Sequence, residues 1–300
     1  MHIAIVGGSG FLGKNFTYYL LKNSSWNITI IAHSTKEFPL SEHDRHRVNF
    51  ITADVFDIES MSKALHECDV AYYFVHMMGQ KNGDLYALEE KAARKFTSAV
   101  EKSALRRVIY MGGLGNDNDA LSKHLASRHK TGKILRSLDR EVIEFQASMV
   151  IGRGSVAFDI IANLVDKLPV MPLPKSSTTL TQPIRLEDAL VYLHLAATVP
   201  VSKNVVIQIG GPTILSYEEL YRMYAKASSK KRIIIRTPFI PAMVEAFFLD
   251  LFTPKIHARI GKAMVESLGN EMIVTSNDAR SVFPTIEPKD IKTAIDQLAE

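Results

Sequence analysis

The chain opens on His2-Ile3-Ala4-Ile5-Val6, a run apolar at almost every position, and passes without a spacer into Gly7-Gly8-Ser9-Gly10-Phe11-Leu12-Gly13. A run of this kind fits a strand buried on both faces of a parallel sheet. Glycines at 7, 10 and 13 then give a G-x-x-G-x-x-G spacing between that strand and a helix. This is the context in which a glycine turn grips a dinucleotide's pyrophosphate. Gly7 allows the tight turn, Gly10 lets the backbone approach the phosphates, and Gly13 lets helix and strand pack closely. The helix N-terminus adds unpaired N–H groups and the positive end of the helix dipole.

Strands and helices alternate beyond this turn. The pattern predicts strands at 2–6, 27–32, 48–52, 70–75 and 107–111, and a strand region at 142–145 and 148–151. It predicts helices at 15–22, 58–67, 86–103 and 121–136. The order implies an α/β fold with a doubly wound parallel sheet of Rossmann type. Pro169, Pro172 and Pro174 predict a loop after Leu168. A helix over 186–197, a strand over 205–209 and a helix over 217–227 follow. Ser216 and Glu219 have the spacing of a capping box at the last of these. The expected organisation is a Rossmann domain over 1–211 and a smaller C-terminal α/β substrate lobe over 212–300. No linker separates the two, so they are expected to pack as one unit.

Composition narrows the class. The chain has 300 residues, 46% hydrophobic and 23% charged, with a formal net charge of +4. That balance is ordinary for a globular protein, and no long like-charge block favours nucleic acid. Cys68 is the one cysteine. It excludes an intrachain disulfide and a cysteine metal site, and it reads as a packing residue; no metal is expected. The first apolar run is a strand rather than a signal segment, and 238–252 is too short and too charged to span a bilayer. A cytoplasmic protein with a small-molecule partner is expected. The oligomeric state is not readable.

The ends of the second and third strands bear on cofactor choice. An Asp or Glu about 20 residues past the glycines binds the ribose 2′-hydroxyl of NAD. Here the second strand runs into His33-Ser34-Thr35-Lys36. These side chains suit a 2′-phosphate, so NADP(H) is preferred over NAD(H); the alternative leaves Lys36 as a solvated loop residue. Past the third strand stands Ala53-Asp54-Val55. Asp54 can accept from the adenine amino group with Val55 against the ring, or it can simply begin a helix.

Four groups of residues carry a family resemblance: the glycine turn, Ala53-Asp54-Val55-Phe56-Asp57, Tyr110-Met111-Gly112-Gly113-Leu114-Gly115, and Gln182-Pro183-Ile184-Arg185-Leu186-Glu187-Asp188-Ala189. On these the chain resembles the extended and atypical short-chain dehydrogenase/reductases. Within them it is similar to the NmrA-like, NAD(P)H-binding branch, which includes bacterial proteins described as nucleoside-diphosphate-sugar epimerase-like. The resemblance covers roughly residues 1–235. It implies that Gly7, Ser9, Gly10, Phe11, Leu12 and Gly13 hold the pyrophosphate and that His33, Ser34, Thr35 and Lys36 hold the adenosine ribose. Asp54 and Val55 would meet adenine, and Val75, His76 and Met77 would line the nicotinamide-side ribose.

One departure matters for chemistry. The family's Tyr-x-x-x-Lys pair is replaced by His124-Leu125-Ala126-Ser127-Arg128, and no tyrosine lies between Tyr110 and Tyr192. His124 can donate a proton near neutral pH, and Arg128 can bind phosphate or ribose but cannot deprotonate. Alternatively both are surface residues or cofactor contacts without chemistry. Ser122 and Ser127 are weaker candidates for orienting a carbonyl oxygen. The apolar run Pro238–Leu249, with Phe247 and Phe248, fits either a substrate wall or a core helix. Two functions stay open: an NADP(H)-dependent oxidoreductase acting on a carbonyl, quinone or nucleotide-sugar-like molecule, and a non-catalytic dinucleotide sensor or assembly factor.

Overall fold

The computed structural model describes residues 1–33, 39–77, 84–117, 119–237, 254, 261 and 266–300. The first half contains β1 (His2–Val6), α1 (Phe11–Asn23), β2 (Asn27–Ala32), α2 (Glu42–Arg45), β3 (Val48–Thr52), α3 (Ile58–Leu65), β4 (Val70–Tyr73), α4 (Leu85–Glu101), β5 (Arg107–Gly113), α5 (Lys123–Leu135) and β6 (Glu141–Ala147). Then come β7 (Val150–Ile151), α6 (Val156–Lys167), β8 (Val170–Pro174), β9 (Leu180–Thr181), β10 (Ile184–Arg185), α7 (Leu186–Ala196) and β11 (Asn204–Gln208). The chain closes with β12 (Leu215–Ser216), α8 (Tyr217–Ala227), β13 (Ile233–Thr237), α9 (Asp278–Val282) and α10 (Ile291–Ala299).

Seven parallel strands form the central sheet in the order β11-β6-β5-β4-β1-β2-β3. The order reverses between β1 and β4, as a doubly wound Rossmann sheet requires. Alternation along β1 separates the two covering layers. Ile3 and Ile5 pack with Phe16 and Leu20 of α1 and with Ala189 and Leu193 of α7. Ala4 and Val6 pack on the other face with Met61 of α3, Phe96 of α4 and Leu135 of α5. The central strands are therefore largely apolar because each face meets helices, with Arg107, Glu144 and Gln146 as buried polar exceptions.

Side-chain caps fix where the helices begin. Asp57 accepts from Glu59 N and Ser60 N at α3, Asp84 from Tyr86 N and Ala87 N at α4, and Ser122 from Leu125 N at α5. At α8 the Ser216–Glu219 capping box expected from the spacing is formed.

A third core lies beside the carboxyl ends of β5 and β6. It joins Met149, Ile151, Phe158, Met171 and Leu173 to Leu215, Tyr217, Leu220, Ile291 and Ile295. Residues before and after 212 thus share one apolar cluster. The stretch expected to be a proline loop is instead strand β8, paired in parallel with β13. Pro172 and Pro174 are two apart, so their missing N–H donors fall on one side of a two-stranded sheet in which every strand is an edge. Helix α6 was also not anticipated. Among the described residues no helix is long and apolar enough to cross a membrane.

Candidate functional site

The glycine turn joins β1 to α1. Gly7 has φ 82° and donates through its N–H to the Ile31 carbonyl at 2.8 Å. A Cβ on Gly7 would stand 2.8 Å from the Phe74 carbonyl carbon, so β1, β2 and the end of β4 all close on this residue. A Cβ on Gly13 would stand 2.5 Å from Gly8 Cα, which is the tight helix–strand contact that the spacing implies. Gly10 differs: among the described residues an added Cβ would meet only Gly7 O within 4 Å, at 3.3 Å. A side chain there would occupy the space in front of α1. That helix has no side-chain cap and no acidic residue in its first turn. Its first donors and positive dipole end therefore suit an anion, and the cradle fits a dinucleotide's phosphates. Ser9 is exposed, and Phe11 and Leu12 are half-buried at the same mouth.

The other expected contacts follow the carboxyl edge of the sheet. His33 is exposed directly after β2, two residues past the Ile31 carbonyl that binds Gly7. Ser34, Thr35 and Lys36 lie outside the described residues, as does the run 238–249. Asp54 is exposed after β3, and its Oδ1 accepts from Phe56 N at 2.9 Å. The cap of α3 is Asp57 rather than Asp54, and Val55 is buried beside it. Val75, His76 and Met77 follow β4, at the end of the sheet where α5 begins.

Here the structure brings together residues that are far apart in sequence. His76 Nδ1 lies 2.5 Å from Glu89 Oε1. Glu89 is buried on α4, and its Oε1 also accepts from Met77 N at 3.2 Å. Its Oε2 accepts from Ser127 Oγ at 2.5 Å. The His76 ring stacks on His124 with centroids 5.6 Å apart and planes 9° apart. His124 in turn meets Ser267 Oγ through Nδ1 at 3.4 Å, and Ser267 bonds Ser122 Oγ at 2.8 Å. Arg128 donates from Nη2 to the Met111 carbonyl, and its guanidinium stands 4.8 Å over the Tyr110 ring. The end of β5 is pinned by His129, which bonds Gly113 O at 3.0 Å and Asp117 on its other nitrogen.

These surroundings set the charges. Burial by itself would raise the Glu89 pKa. The His76 hydrogen bond and charge, Arg128 and Ser127 outweigh it and hold the carboxyl at about 2. Burial pushes His124 down to about 3, helped by the positive fields of His76 and Arg128 and opposed by Glu89. At neutral pH His124 is therefore a neutral imidazole, a hydrogen-bond partner without an imidazolium proton. Burial also raises the Tyr217 phenol to about 12.

A cavity of about 220 Å³ opens between these groups and the third core. His76, Gly112, Gly113, His124, Arg128 and Ser148 line its sheet side. Met149, Ile160, Ile161, Tyr217, Tyr221, Leu268 and Met272 close the other side. His124 and Arg128 thus share one cavity with His76. Ser122 serves as the α5 cap and Ser127 as a Glu89 partner. Sequence reasoning missed Glu89, Ser267, Tyr217 and Tyr221. Glu89 stands next to Glu90 in a polar helix, and only the packing of α4 on α5 buries the one and leaves the other half-buried.

A parallel sheet with a glycine turn at its switch point, and a cavity at the carboxyl ends of the neighbouring strands, defines a dinucleotide-binding Rossmann protein. Residues 7–143 match the profile of a family described as NAD(P)H-binding. This stretch, from the glycine turn to Ile143 in β6, is similar to NAD(P)H-binding domains, and the match supports a nicotinamide dinucleotide as cofactor. No curated protein matches the chain in sequence. Solved structures are similar over nearly the whole length. A Citrobacter sp. triphenylmethane reductase is 14% identical with a TM-score of 0.76, covering 100% of this chain and 99% of that one. A Staphylococcus aureus nucleoside-diphosphate-sugar epimerase is 15% identical with a TM-score of 0.73, covering 99% and 100%. A Thermotoga maritima UDP-glucose 4-epimerase is 12% identical with a TM-score of 0.72, covering 100% and 97%. At this identity the likeness is one of fold. Together with the family match it supports the atypical short-chain dehydrogenase/reductase, NmrA-like resemblance.

Proposed function

We propose that the chain is an NADP(H)-dependent oxidoreductase acting on a small, largely apolar carbonyl or quinone. The observation that carries this reading is the cavity lining. Among the described lining residues Arg128 is the one arginine or lysine, and its guanidinium is already committed to the Met111 carbonyl and the Tyr110 ring. A nucleotide sugar brings a second pyrophosphate, which calls for charged, forked donors. Two tyrosines, methionines and isoleucines suit a flat apolar molecule instead. When bound, the dinucleotide supplies the hydride, and the protein supplies position and electrostatics. Gly7, Ser9, Gly10, Phe11, Leu12 and Gly13 hold the phosphates. His33, with Ser34, Thr35 and Lys36, favours a 2′-phosphate because no carboxylate follows β2 before Glu37. Asp54 and Val55 meet the adenine, and Val75, His76 and Met77 the nicotinamide-side ribose. Neutral His124 orients the substrate oxygen, and Arg128 places positive charge beside it.

The test is NADPH oxidation against 4-nitrobenzaldehyde and 9,10-phenanthrenequinone, with NADP⁺ reduction and epimerisation followed for UDP-glucose. Turnover of the first or second, reduced in His124→Ala and Arg128→Ala, supports the reading. Turnover of UDP-glucose alone contradicts the substrate class. Saturable NADPH binding with no turnover of any member assigns the chain to the non-catalytic sensors instead.

A further inference from the structure

We propose that His76, held by Glu89, is the proton donor of this site and fills the role of the tyrosine that the chain lacks. The proposal rests on the oxidoreductase reading above and adds the residue that completes its chemistry. Reducing a carbonyl needs a proton as well as a hydride, and α5 offers no hydroxyl acid in the usual place.

The geometry around Glu89 is that of a positioning group. Both carboxylate oxygens are engaged: Oε1 by His76 Nδ1 and Met77 N, Oε2 by Ser127 Oγ. The carboxylate therefore cannot swing away from the imidazole. A buried carboxylate facing one imidazole nitrogen fixes that nitrogen as the protonated one and stabilises the imidazolium. Nε2 is then the nitrogen able to pass a proton to a molecule in the cavity that His76 lines. The His76 side chain keeps 35% of its exposure, so water can return the proton after each turnover. The charged and titratable groups facing it are Glu89 from α4 and His124 and Arg128 from α5. Parallel to His76, the neutral His124 ring neither competes for the proton nor repels the imidazolium.

The step balances as follows. The carbonyl carbon accepts a hydride, with its two electrons, from the reduced nicotinamide dinucleotide. The carbonyl π pair moves onto oxygen, and that oxygen takes the Nε2 proton. An alcohol, the oxidised dinucleotide and neutral His76 result, and one solvent proton, relayed by water, returns to Nε2. Glu89 stays ionised throughout.

Two measurements on the full chain test this. The first needs no dinucleotide: 15N NMR of histidine-labelled protein, with His76 assigned through its contacts to the His124 ring. The expected result is that the neutral form of the ring, reached once Nε2 has lost its proton, is the Nδ1–H tautomer, shifting toward Nε2–H in Glu89→Gln. A wild-type ring held as Nε2–H overturns the proposal. The second compares His76→Gln with wild type on whichever panel carbonyl is reduced fastest. The expected loss is about 10²–10⁴-fold in kcat, well beyond any change in NADPH affinity from the lost ribose contact. Wild-type kcat in a folded His76→Gln overturns the proposal and leaves the oxidoreductase reading standing. A wild-type chain that binds NADPH but reduces no carbonyl overturns both.

Discussion

Acid should weaken the fold through His124, and the size of the effect follows from its surroundings. Burial, with the positive fields of His76 and Arg128, holds this imidazole at about 3 in the folded chain. In the unfolded chain a histidine titrates near about 6.5. The folded value lies below the unfolded one, so the unfolded state takes up the proton first. The stability at stake is fully present above about pH 6.5 and is lost as pH falls toward about 3. Down to pH 5 the gap is about 1.5 pH units at about 1.4 kcal/mol each, or about 2 kcal/mol. The perturbation is His124→Gln, which keeps a hydrogen-bonding head and removes the titration. Urea unfolding of both proteins, followed by circular dichroism at pH 7.5, 6.5, 5.75 and 5, gives the difference in stability. His194, also pushed down by burial, is present in both chains and cancels. Wild type should lose about 2 kcal/mol relative to His124→Gln across the series. Two curves that stay parallel would show that His124 titrates as a solvent-exposed histidine, and the neutral-imidazole account would fall.

Two further outcomes are expected. In Gly13→Ala the new methyl lies 2.5 Å from Gly8 Cα and 2.7 Å from Gly8 O, both backbone atoms, so α1 must move away from the turn. The cost is about 1–3 kcal/mol of stability, with at least a tenfold loss of NADPH affinity, about 1.4 kcal/mol, by fluorescence titration. Ser216→Ala removes the Oγ that accepts from Glu219 N and donates to the Glu219 carboxylate, at a cost of about 1 kcal/mol by thermal unfolding. Its NADPH affinity should match wild type, because α8 belongs to the third core.

Local signals made the first half of the chain legible. Most strands of the doubly wound sheet are short, largely apolar runs, and Gly7 and Gly13 stand where backbone contacts leave no room for a side chain. Where tertiary context decides, the sequence was silent. Pro172 and Pro174 read as loop because their place on an edge strand is set by β13, some sixty residues later. Helix α6 came without a capping side chain to announce it: Ser155 makes no side-chain cap bond. At the site, His124 and Arg128 stood out because they occupy the slots of a missing motif. Their electrostatics could not be read, because the field at His124 comes from His76 after β4 and Glu89 on α4 as well as from Arg128 on α5. Glu89 was invisible for the same reason: a glutamate in an amphipathic helix looks solvated until α5 brings Ser127 over it.

The claim on which the rest depends is that the mouth of α1 grips a nicotinamide dinucleotide. Fluorescence titration of the folded, full-length chain with NADPH and with NADH tests it without any substrate. The account predicts saturable binding of both, tighter for NADPH. No binding of either up to ~1 mM, about the weakest range of specific recognition, would contradict it.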